Sequence, residues 1–276
     1  MENIGVQLYS FSGVELSISE KIRHAAKFGY DGVEFADDYD GMTAPELRAL
    51  LRENGLWAKT AHVRLDRIGQ EIPFLVELGV SHVIYPHCDF PDVDKVKRVA
   101  ERLNELGKYG KAYGIKVGFH NHYDEFFVLD GQTIMDRLIE LTDPETVSFQ
   151  LDCGWAACAG IAPEEYLTAH AGRFSSVHIK ENAGVILPCA ARKTGEPYVI
   201  SDGRTLTEEE AAARWTVIKN ANVKMGTGNV NWCAVIKAAL AQNLETTFVV
   251  ERENAYADRD KEVCIAEDLA WLRENL

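Results

Sequence analysis

Lys116-Val117-Gly118-Phe119-His120-Asn121-His122-Tyr123-Asp124-Glu125-Phe126-Phe127 is the stretch that decides how the chain folds. It follows Gly114, which closes a long amphipathic segment, and it opens as a short apolar strand before placing His120, His122 and Glu125 within six residues of one another. A buried strand that finishes in polar, metal-capable side chains is the pattern of a parallel barrel, whose chemistry sits at the carboxyl ends of its strands. Leu151-Asp152, Val177-His178 and Val250-Glu251 finish in the same way further along. A lone strand-end histidine is ordinarily a hydrogen-bonded structural residue. Four such ends, separated by helices, point to one site assembled from distant parts of the chain.

Working outward, apolar runs rich in β-branched residues recur at 4–9, 32–35, 57–63, 82–86, 116–120, 147–151, 176–179 and 247–251. The segments between them carry apolar residues at helical spacing. Ser19 is expected to cap a helix that presents Ile22, Ala25, Ala26 and Phe28 on one face and closes at Gly29. Thr43 and Pro45 open the next helix and Gly55 ends it, while Gly79 and Gly114 repeat the closing role. The first seven strand starts lie 25 to 34 residues apart, the size of one strand-helix unit, and the eighth comes 71 residues after the seventh. Such alternation predicts a parallel sheet, and eight near-equal units predict closure into a single-domain (β/α)8 TIM barrel over residues 1–276. A dinucleotide-binding sheet would carry a glycine-rich turn after its first strand, whereas Tyr9 is followed only by Ser10-Phe11-Ser12-Gly13. The long last interval predicts an insertion over roughly 181–226 after the seventh strand, with a helix over 207–220. Because it leaves from the site face, a lid or a subunit contact is its expected role.

With 276 residues, 46% of them apolar, the chain can bury a large core. Its net charge of −14 repels phosphate backbones and anionic membranes, so neither nucleic acid nor a membrane is an expected partner. The first residues enter a strand pattern at once, and a soluble cytoplasmic protein is expected. Six cysteines without any CxxC spacing read as reduced, mostly buried thiols.

The segments Val6-Gln7-Leu8-Tyr9-Ser10, Gly29-Tyr30-Asp31-Gly32-Val33-Glu34-Phe35, His120-Asn121-His122-Tyr123-Asp124-Glu125-Phe126, Leu151-Asp152-x-x-Trp155, Val177-His178-Ile179-Lys180 and Val249-Val250-Glu251 carry a resemblance. Together they resemble the xylose isomerase-like sugar phosphate isomerase/epimerase family, in order and over nearly the whole chain. The His-Asn-His-x-x-Glu-Phe segment resembles one large subgroup. The resemblance implies one divalent metal ion (Mn, Co, Mg or Zn) held by residues at the ends of the last four strands. Asp152, His178 and Glu251 are its implied ligands. Gapless alignment sets His120 where better-studied epimerases have a metal-binding glutamate, with His122 and Glu125 as alternates. Two carboxylates with one or two imidazoles suit these ions and leave positions open for substrate oxygens.

Three departures limit what the resemblance transfers. His120 replaces one of the two metal-bound glutamates that work on opposite faces of the sugar. Lys180-Glu181 stands for the usual Lys-Asp, and Gly226-Thr227-Gly228-Asn229-Val230-Asn231-Trp232 for a Gly-Glu-Gly…Asp-Trp segment. Glu251 and either His122 or Glu125 are then the expected proton-transfer groups. Lys180, two residues past His178 and on the same side of the strand, would stabilise a developing enolate or bind a substrate oxygen. Glu34, His62 and Trp155 are expected to line the substrate pocket, with Gln7 and Tyr9 as weaker candidates. His24, His82, His87 and His170 show no comparable arrangement and read as structural or surface residues.

A metal-dependent isomerase or epimerase of a sugar, keto-sugar or cyclitol is the leading expectation, acting by proton abstraction beside a carbonyl through a metal-stabilised enediolate. A lyase on the same scaffold, an inosose-type dehydratase or a 3-keto-glycoside eliminating enzyme, starts with the same step. A non-catalytic sugar-binding descendant is a third reading. A three-zinc nuclease on this barrel needs a basic surface that an acidic chain does not supply. The expected partner is a small-molecule carbohydrate. Self-association is common in this family, so a homo-oligomer is also expected.

Overall fold

The computed structural model describes residues 3–185, 191–192, 209, 216, 220–242 and 247–276. Eight strands close a barrel: β1 (Ile4–Gln7), β2 (Gly32–Ala36), β3 (Thr60–His62), β4 (His82–Tyr85), β5 (Lys116–His120), β6 (Val147–Asp152), β7 (Phe174–Ile179) and β8 (Thr247–Val250). Every neighbouring pair is parallel, and β8 pairs back onto β1 through Val6 and Val250. Closure leaves the barrel without an exposed sheet edge.

The outer helices are α1 (Ile18–Phe28), α2 (Ala44–Glu53), α3 (Ile68–Leu78), α4 (Val93–Lys111), α5 (Ile134–Leu141), α6 (Cys153–Cys158), α7 (Pro163–Ala169), α8 (Trp232–Leu240) and α9 (Lys261–Asn275). Each main helix buries one stripe. In α4, for example, Val96, Val99, Ala100, Leu103 and Leu106 face the barrel. Ser17, not Ser19, caps α1, because Ser17 and Glu20 form a reciprocal capping box that Ser19 has no glutamate to complete. Thr43 and Glu46 repeat that device at α2. The left-handed conformations of Gly29 and Gly79 close α1 and α3 as their positions in the pattern imply.

The first strand is shorter than expected. Gln7 Oε1 accepts the Tyr9 N–H at 3.1 Å and turns the chain into a 3-10 helix, Leu8–Phe11, so Tyr9 leaves the strand. At the amino-terminal end the barrel is plugged by Trp57, whose ring lies against Gly5 and Gly32. A Cβ at Gly32 would stand 2.1 Å from that ring.

The interval between β7 and β8 does hold an insertion. Its two ends are joined by a bridge between Asn182 and Asn222. The helix expected over 207–220, and with it any lid or subunit-contact role, falls outside the described residues apart from isolated positions. Cys88, Cys153, Cys158 and Cys264 are buried free thiols and Cys233 is exposed. No helix among the described residues is long and apolar enough to cross a membrane.

Candidate metal centre

Strand pleating decides which residues meet at the carboxyl end of the barrel. Asp152 pairs with His178 across β6 and β7, and Val249 pairs with His178 across β7 and β8. Asp152 and His178 thus stand side by side, with Glu251 just past the end of β8. His120, Asp152, His178 and Glu251 each offer one donor atom, and these atoms all lie within 4.8 Å of one another. All four residues are buried. His178 Nδ1 is 3.2 Å from Glu251 Oε2 and 3.9 Å from Asp152 Oδ2.

The orientation of His178 is set from behind. Its Nε2 lies 2.6 Å from Glu34 Oε1, and because a carboxylate only accepts, Nε2 carries the proton and Nδ1 turns toward Asp152 and Glu251. Glu34 is fully buried; it also accepts Nε2–H from Gln7 at 2.6 Å and from Gln150 at 2.7 Å. Burial alone would raise its pKa, but His62 and His178 hold the carboxyl at about 2. His178 is driven the other way. Burial opposes its charge, yet Glu34 and Glu251 push it up to about 10, so Nδ1 also carries a proton, which an arriving cation would displace. Gln150 Oε1 lies 2.7 Å from His62 Nε2 and 3.0 Å from His120 Nδ1. Burial, reinforced by His178 and His62, drives His120 well below its ordinary range, which leaves it neutral and able to ligate.

Asp152 serves fold and site at once. Its Oδ1 caps α6 by accepting the Trp155 N–H at 2.9 Å, and Asn121 clamps its backbone through Oδ1 at 3.0 Å and Nδ2 at 3.3 Å. Asp152 Oδ2 is buried without a hydrogen bond, although Lys180 Nζ lies 3.1 Å away. The Lys180 ammonium also approaches Glu251 Oε2 at 2.8 Å and Glu253 Oε1 at 3.0 Å. Burial and Glu251 raise Asp152 to about 6, against the pull of Lys180. For Glu251, burial is outweighed by Lys180 and His178, so it stays ionised well below the usual carboxylate range. An orphaned carboxylate oxygen, a neutral imidazole and carboxylates already gathered around a cation fit a divalent ion.

Of the three fifth-strand candidates, His120 falls with Asp152, His178 and Glu251, while His122 and Glu125 fall in a separate group with His87. Glu34 lies behind His178. His62 stacks on His178 at 5.3 Å between ring centroids. Trp155 is buried, with Lys180 Nζ 4.3 Å above its ring. Glu181 turns away from the centre. Its carboxylate accepts N–H groups from Asn182, Gly226, Val230 and the Trp232 indole at 2.9–3.4 Å, tying the end of the insertion to β7. Asn121, Gln150 and Glu253 were not singled out by the sequence. Gln150 and Glu253 each sit two residues from a ligand candidate, the spacing that shares a strand face, and this was the available signal.

Fold and site together define a closed parallel barrel with a cluster of metal-capable side chains at the carboxyl ends of its last four strands. The sequence profile of the xylose isomerase-like TIM barrel family matches residues 22–275, and the chain belongs to that family. An inosose dehydratase of Mesomycoplasma hyopneumoniae is 24% identical over 193 residues, 61% of this chain and 64% of that protein. The match therefore spans less than two thirds of that relative. Among solved structures, a sugar phosphate isomerase/epimerase from Parabacteroides distasonis superposes with a TM-score of 0.75 at 22% identity, covering 100% of this chain and 95% of that one. The IolI protein with a bound zinc atom superposes with a TM-score of 0.67 at 14% identity, covering 99% and 97%. These structural likenesses show the fold. The inosose dehydratase relative is an enzyme.

Proposed function

We propose that the chain is a divalent-metal-dependent isomerase or epimerase of a small carbohydrate, a sugar, keto-sugar or cyclitol, that works by removing a proton beside a carbonyl. The observation that carries this reading is the meeting of His120, Asp152, His178 and Glu251, with the Lys180 ammonium on the two carboxylates. Those four residues would hold the ion, which when bound supplies Lewis-acid polarisation of the substrate carbonyl. Glu251, kept ionised by Lys180 and His178, removes the proton. Lys180 exchanges one of its carboxylate partners for a substrate oxygen and stabilises the charge developing there. Glu34 keeps His178 in one tautomer throughout. His122 and Glu125, on the β5 side, are the groups that return the proton.

A second reading is a lyase, in which the same abstraction is followed by loss of a β-oxygen substituent. It is favoured by the inosose dehydratase relative and by His120 standing where a second metal-bound glutamate would serve the opposite face. Incubation of the metal-loaded protein with keto-sugars and inososes in deuterated water tests both. Deuterium beside the carbonyl of an isomerised or epimerised product supports the first. An unsaturated product moves the assignment to the second. Turnover without label incorporation or elimination removes both.

A further inference from the structure

A second group of metal-capable side chains stands beside the first and shares no residue with it. His87, just past β4, and His122 and Glu125, just past β5, offer donor atoms within 4.8 Å of one another. Two of these residues carry buried atoms that nothing else satisfies: His122 Nδ1 and Glu125 Oε1 have no hydrogen-bond partner. Glu125 is fully buried, and its other oxygen, Oε2, is held by the His122 backbone N–H at 2.8 Å, so the side chain is pinned with one oxygen left over. The His87 ring stands edge-on to His122 at 4.9 Å between centroids, and its own solvent exposure leaves the group open on that side.

A buried carboxyl with an idle oxygen beside an idle imidazole nitrogen is costly unless an occupant satisfies both. A proton shared between the two side chains would do so, but the structure contains no hydrogen bond between them. We infer that His87, His122 and Glu125 form a second divalent-cation site at the barrel mouth, of the zinc or cobalt class. Two imidazoles and one carboxylate, with an open side toward solvent, are the donor set that such borderline ions take. The rings of His120 and His122 are 5.2 Å apart, so the two sites are immediate neighbours. With this site filled, His122 and Glu125 are ligands in place of the proton-returning role given them in the proposed function, and Glu251 is the remaining proton-transfer group.

Among the described residues the third metal-capable group, His62 with His120 and His178, shares two members with the first site and adds no independent ion. Stoichiometry therefore tests the inference. The full chain is stripped with a chelator, reloaded with Zn²⁺ or Co²⁺, desalted and assayed by elemental mass spectrometry, with Co²⁺ absorption as a second readout. The expected result is two ions per chain in the wild type, one in His87→Ala and one in Glu125→Gln, with distinct Co²⁺ spectra for His87→Ala and Asp152→Ala. His87 is exposed, so its substitution leaves folding intact even where Glu125→Gln does not. A wild-type stoichiometry that His87→Ala leaves unchanged overturns the inference. Loss of an ion in His87→Ala but none in Asp152→Ala would support it and sink the first site instead.

Discussion

His178 Nε2 and Glu34 Oε1 lie 2.6 Å apart although 144 residues separate them in the chain. This contact orients a strand-end histidine: the proton it fixes on Nε2 turns Nδ1 toward Asp152 and Glu251, where the proposed ion would bind.

Glu34→Gln should therefore weaken metal binding without touching a ligand. The amide also brings N–H donors against those of Gln7 and Gln150, which point at the carboxylate. A loss of about 10- to 100-fold in affinity is expected, measured by competition against a chromogenic chelator. Wild-type affinity in this variant would show that Glu34 does not orient His178 for the metal.

Lys180 contacts Asp152 and Glu251, the carboxylates that the proposed ion would share with it. Lys180→Met should lower the stability of the metal-free protein by about 3 kcal/mol, because it strands buried carboxylates. Added Zn²⁺ should then raise Tm by more than it does in the wild type. Equal Tm shifts in the two proteins would show that ammonium and ion do not act on the same carboxylates.

Gly32→Ala places a Cβ 2.1 Å from the fused ring atoms of Trp57, so the indole must shift. A loss of about 1–3 kcal/mol is expected from such overpacking, read from urea unfolding. Trp57→Leu in the same chain should recover part of it, and a purely additive double variant would contradict the direct contact.

His82, at the opposite end of the barrel from the His120, Asp152, His178 and Glu251 cluster, gives a pH test independent of any ion. Burial, aided by Lys116, lowers it from 6.5 to about 4. A folded-state value below the unfolded one means that this contribution is present above pH 6.5 and lost as pH falls toward 4. Between those limits the wild type should lose on the order of 2 kcal/mol more than His82→Gln, by urea unfolding at each pH. Parallel pH profiles would refute the assignment.

The architecture was legible because its signals are local. Glycine-closed helices and short apolar strands repeat along the chain, and period-two pleating puts Gln150 with Asp152, and His178 with Lys180, on one strand face. The strand-end residues Asp152, His178 and Glu251 stood out for the same reason. Pleating says which way a side chain points but nothing about how far it lies from one on another strand. That distance depends on strand stagger and barrel closure, which are properties of the assembled sheet. Only the tertiary structure therefore placed Glu34 behind His178, set His120 apart from His122 and Glu125, drew Glu181 into the anchor of the insertion and brought His87 against His122.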